Sequence, residues 1–82
     1  MEKQVLNTYR FTITHESGAA VVHESDSGRE SRFQTIEDAK DAVIRASGRA
    51  DLDFEYDTEP EEWWSAEFDS TLTPAAVMER LG

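Results

Sequence analysis

One stretch constrains this chain more than any other: "DLDFEYDTEPEEWWSAEFD", residues 51–69, which carries nine carboxylates and no Lys or Arg. Its apolar residues alternate with its acids. Leu52, Phe54 and Tyr56 alternate with Asp51, Asp53, Glu55 and Asp57, and Trp64, Ala66 and Phe68 alternate with Trp63, Ser65, Glu67 and Asp69. A period of two is that of a half-buried strand, and the proline-containing loop Thr58 to Glu62 has the length of a hairpin connection. The segment is therefore expected to form a hairpin with one apolar and one acidic face. If the apolar set meets a core, Asp53, Glu55, Asp57, Glu67, Asp69 and Trp63 must project from the opposite side.

The remainder supplies a partner for that apolar face. Val5, Tyr9, Phe11 and Ile13 alternate with polar residues up to Thr14, Glu16-Ser17-Gly18 reads as a turn, and Ala19 to Glu24 as the returning strand. After a second turn at Ser25-Asp26-Ser27-Gly28, Arg29 to Gln34 is expected to form a third strand. Thr35 is placed to cap a helix with Asp38 three residues on, Ile36, Ala39, Val43 and Ala46 give the apolar stripe, and Gly48 ends it. Thr73 and Pro74 open a short C-terminal helix in which Leu72 is placed to staple against Val77, while Val77, Met78 and Leu81 dock the helix on the body. The expected fold is α+β: an antiparallel sheet in the order ββ(β)αββα, with one main helix packed on it and a short C-terminal helix. At 82 residues, 1–82 reads as a single domain with little room for a buried cleft.

Charge is split along the chain. Residues 1–50 hold eight acids and seven bases, whereas residues 51–82 hold ten acids and one base, for a net charge of −10. Such a field repels nucleic acid and anionic membranes and attracts basic surfaces. With no Cys, disulfides and thiolate metal sites are excluded, and with no signal-peptide or membrane-span pattern the expected location is the cytoplasm.

No constellation supports catalysis. The acids from Asp51 to Glu62 follow the spacing of a calcium loop, but Tyr56 stands where that loop needs glycine. His15 and His23 flank the first turn and are placed to face each other across it, but without a further ligand nearby they make a poor zinc site. Phosphate-cradling glycine loops and supported Ser-His-Asp arrangements are lacking, so the chain reads as a non-enzyme with no cofactor and no metal site. Arg29, Arg32, Arg45 and Arg49 are expected to gather near the helix and to pair with Glu30, Asp38 and Asp41.

The functional expectation is therefore binding. Carboxylates two residues apart along a strand are about 6.7 Å apart, comparable to the spacing of phosphates along a nucleic-acid strand. Asp51, Asp53, Glu55, Asp57, Glu59, Glu61, Glu62, Glu67 and Asp69, with Trp63 as an aromatic anchor, form the expected partner-binding set. Two alternatives stand beside it: Trp63 curls over the hairpin edge, or the acid serves only solubility or high-salt adaptation in a domain that forms a homodimer.

In size, acidity and absence of a catalytic motif, carried by "DLDFEYDTEPEEWWSAEFD", the chain resembles small phage-encoded inhibitors of bacterial defence systems, anti-CRISPR proteins above all. That resemblance implies an inhibitor acting in the host cytoplasm on a basic protein or nucleoprotein effector such as a CRISPR effector complex, as a DNA mimic or steric block. The segment "YRFTITHESGAAVVHESDSGRESRFQTIEDAKDAVIRA" is also similar in pattern to small prokaryotic hairpin-strand-helix domains of unassigned function, a likeness that implies the fold alone.

Overall fold

The structure, a computed structural model, describes residues 6–81. Five antiparallel strands, β1 (Asn7–Glu16), β2 (Ala19–Glu24), β3 (Glu30–Phe33), β4 (Glu55–Asp57) and β5 (Trp63–Ser70), form one sheet in the spatial order β3-β2-β1-β5-β4. Helices α1 (Ile36–Ser47) and α2 (Pro74–Leu81) complete it. The expected α+β order is thus present, with the long strand β1 at the centre of the sheet. Val5, expected to begin the first strand, lies outside the described residues. Among the described residues no helix is long and apolar enough to cross a membrane.

Local signals place the elements. Ser17 and Gly18 both adopt positive φ, 52° and 80°, the requirement of a tight two-residue hairpin turn, and this fixes the pairing of Thr12 with His23 and Thr14 with Val21. The Thr35 hydroxyl accepts from the Asp38 amide at 3.1 Å to open α1, and Gly48 at φ 70° closes it by donating to the Ile44 carbonyl. Thr73 caps α2 in the same way through the Ala76 amide at 3.3 Å.

Both helices lie on one face of the sheet. Tyr9, Phe11 and Ile13 of β1, Ala20 and Val22 of β2, and Ala66 and Phe68 of β5 meet Ala39, Ala42, Val43 and Ala46 of α1 and Val77 and Leu81 of α2 in one buried cluster. The run of alanines on α1 lets the helix backbone approach the sheet closely. Phe68 packs its ring on both Tyr9 and Phe11, at centroid distances of 5.6 and 5.8 Å. Burial of each large side chain of this kind contributes about 1.5 to 3 kcal/mol. Leu72, Leu52 and Phe54 are half-buried against the same cluster. Tyr9 adds a polar tie by donating its hydroxyl to the Leu72 carbonyl at 2.6 Å, which fastens the β5–α2 connection to β1. Among the described residues the other face of the sheet is bare of helices.

The second hairpin differs from expectation in one respect. Residues 51–54 are not strand, and β4 is three residues long. Its register pairs Glu55 with Ser65, Tyr56 with Trp64 and Asp57 with Trp63. Extending that register backwards would set Asp53 opposite Glu67 and Asp51 opposite Asp69, two like-charge pairs that destabilise a ladder. The chain leaves the sheet before the first of them forms. Glu67 and Asp69 instead meet β1 on their other side, where Arg10 and Thr8 are their partners in register.

Candidate functional site: an acidic groove on the open sheet face

Strand alternation and the observed registers place Thr8, Arg10, Thr12, Thr14 and Glu16 of β1 on the open face, with Trp63, Ser65, Glu67 and Asp69 of β5 and Glu55 and Asp57 of β4 beside them. The early departure of the chain from β5 opens a groove of about 520 Å³, walled by Asp53, Glu55, Glu67, Arg10, Ser65 and Trp63. Asp53 and Glu55 are exposed and make no ion pair among the described residues. Arg10 is the one cation in the wall, and it is held by Glu67, with its Nη2 2.6 Å and its Nε 3.1 Å from the same carboxylate oxygen. Beyond the groove, Asp69 accepts from the Thr8 hydroxyl at 2.7 Å.

Trp63 lies on this face as the alternation requires, but it is half-buried rather than fully presented. Its indole Nε1 donates to the Glu59 carbonyl at 3.0 Å, so the ring folds back over its own loop while one side lines the groove. Asp57 turns its carboxylate to the loop backbone and accepts from the amides of Thr58 at 2.7 Å and Glu59 at 3.2 Å. Glu59 and Glu61 are exposed in the loop, and Asp51 sits in a turn 3.8 Å from Arg49.

Glu62 does not join the array. It bonds residues of the helical side, accepting from the Tyr56 hydroxyl at 2.6 Å and from His15 Nε2 at 3.1 Å. The Tyr56 hydrogen bond holds the Glu62 carboxyl below its ordinary value, with His15 adding to the effect, and it raises the Tyr56 phenol in turn. Trp64 lies between these groups, edge-on to His15 and tilted against Tyr56, with the Lys40 ammonium 5.3 Å from its ring centre. Sequence reading missed this aromatic cluster. The parity of Tyr56 and Trp64 on one hairpin face was the available signal.

The two histidines do not face each other. His15 is opposite Ala20 and His23 opposite Thr12, which puts them on opposite faces of the same hairpin. His23 lies between Glu16 and Glu30 on the open face, and the three groups approach within 4.8 Å of one another. The carboxylates address different ring nitrogens, Glu16 at Nε2 and Glu30 at Nδ1, so the three donors do not converge on a common point as metal ligands must. The expected arginine pairings also fail among the described residues: Glu30 pairs with His23, Arg49 with Asp51, and Arg45 reaches the Arg80 carbonyl at 3.4 Å.

Comparison with protein-family models, with curated proteins and with solved structures finds no match to this chain.

Proposed function

We propose that the protein is a non-enzymatic binding protein whose acidic groove and adjoining β4–β5 surface dock on an Arg/Lys-rich, nucleic-acid-binding surface of a partner and exclude nucleic acid from it. The observation that carries this reading is the segregation of charge on the open face. Asp53, Glu55 and Glu67 border a groove whose single cation, Arg10, is already engaged by Glu67, and Asp69 lies on the same face beyond it. An incoming guanidinium finds free carboxylates at Asp53 and Glu55 and the indole of Trp63 to stack on. Glu59 and Glu61 extend the negative field beyond the hairpin tip and accelerate encounter with a basic surface. The groove is open and its carboxylates are exposed, which suits ion pairing better than a reaction that must exclude water. Stoichiometric inhibition of a nucleoprotein effector, as the anti-CRISPR resemblance implies, is the specific form of this proposal.

The test is capture from a prokaryotic lysate with the wild-type chain and with an Asp53→Lys/Glu55→Lys variant, each complex then being challenged with duplex DNA and with salt. Glu67 is left in place, because a lysine there would stand beside Arg10. The proposal expects a basic nucleic-acid-binding protein on the wild type alone, released by DNA and by rising salt. Identical proteins on both baits would refute it. Salt-insensitive self-association with no such partner would favour the homodimer reading instead.

A further inference from the structure

The other half of the open face holds a different device, and it stands independently of the docking proposal. Successive cross-strand rows run Glu16–Ala19, Thr14–Val21–Arg32 and Thr12–His23–Glu30 across β1, β2 and β3. Glu16 and His23 belong to the outer rows, yet their side chains meet at 2.8 Å, so their contact spans the middle row. Val21, in that row, is fully buried although it lies on the face without helices and outside the main core. The Thr14 hydroxyl completes the span, donating to Glu16 at 3.0 Å and lying 3.3 Å from His23 Nε2. On the far side His23 Nδ1 lies 3.0 Å from the Glu30 carboxylate.

Both ring nitrogens of His23 therefore point at carboxylate oxygens. A neutral imidazole has one N–H and one lone pair and can satisfy only one of these contacts; an imidazolium, which donates from both nitrogens, satisfies both. We propose that His23 is a proton-binding clamp that, when protonated, fastens β1 to β3 across β2 and closes over Val21, and that loosens when the proton leaves.

The groups facing the ring are Thr12, Thr14 and Glu16 from β1 and Glu30 from β3, with Arg10 and Arg32 on the neighbouring diagonals of the same face. The helices pack on the opposite face and contribute no charge to it. The dependence on pH is two-sided. The hydrogen bond from His23 is the largest influence holding the Glu16 carboxyl below its ordinary value of 4.5, so that part of the stabilisation is present above the carboxylate range and is lost on acidification. The clamp also needs the imidazolium, which alone donates from both ring nitrogens, so its contribution is lost when the proton leaves.

Nitrogen-15 NMR of the imidazole rings in the wild-type chain reads this directly, and thermal unfolding of His23→Gln and Glu30→Gln across pH reads the consequence. Near pH 5.5 both His23 nitrogens should carry protons slowed in exchange, with His15, which has one carboxylate contact, as the internal reference. From about pH 5.5 to 8 the wild-type Tm should fall by about 3 °C more than that of His23→Gln, with Glu30→Gln in between. The comparison with His23→Gln removes the general effect of growing negative charge. A single-tautomer neutral ring near pH 5.5, or parallel Tm curves for wild type and His23→Gln, would overturn the proposal. The ring spectrum decides it on the wild type even where a variant is too unstable to compare.

Discussion

The two halves of the open sheet face handle charge in opposite ways. Over β1, β2 and β3, Glu16, His23 and Glu30 are bonded to one another, and Arg32 adds to the depression of the Glu16 carboxyl. Around β4 and β5, acids accumulate until the ladder itself gives way, and Asp53 and Glu55 are left without an ion-pair partner among the described residues. A charge that supports folding is bonded to its neighbours; one left free beside a groove costs stability and is available to something else. Both halves rest on the same helical layer, so the contrast belongs to the surface and not to the core.

Breaking that shared core should therefore have the largest effect and should spare neither half. Phe68→Ala removes the ring packed on Tyr9 and Phe11 and should cost about 3 to 5 kcal/mol in urea unfolding, a large share of the stability of a domain this small. Next comes Glu24, the buried acid at the end of β2, 4% exposed. Burial opposes its ionisation, but bonds from the Ser27 hydroxyl and amide, both at 2.6 Å, and from the Asp26 amide at 3.1 Å outweigh burial and hold its carboxyl below the usual value. Its contribution is present above about pH 4.5 and is lost as pH falls through the lowered folded-state value. Glu24→Gln should cost about 2 kcal/mol at neutral pH and much less near pH 3, a difference read by acid-dependent denaturation. Smallest is the change to the groove: Asp53→Lys/Glu55→Lys should alter stability by less than about 0.5 kcal/mol, because no ladder or core contact is lost.

Much of this arrangement was legible beforehand, for identifiable reasons. Thr35 with Asp38, Gly48, Ser17-Gly18 and Thr73-Pro74 are local signals whose chemistry acts within four residues, and each formed as read. The acidic face was legible because alternation dictates sides. Pairing was not, since alternation says nothing of which residues stand opposite, and only the register reveals the like charges that end β4 at Glu55. The partners of Glu62, expected only as a loop acid, were not legible, because strand parity does not reach into the loop and a phenol and an imidazole on the other face capture it. The separation of His15 from His23 was recoverable: a two-residue turn at Ser17-Gly18 makes Ala20 the partner of His15 and Thr12 that of His23, on opposite faces.

The central claim is that location, and not net charge, makes the groove a docking surface. An arginine-rich peptide titrated by NMR into the wild type, Asp53→Lys/Glu55→Lys and Asp41→Lys/Glu79→Lys tests this, since both variants change the net charge equally and the second alters exposed acids of the helical layer. The account predicts shifts centred on the Trp63 indole and β5, an affinity loss of about tenfold or more for the groove variant, and a loss of less than about threefold for the helix variant. Equal losses, or shifts spread evenly over the surface, would contradict it.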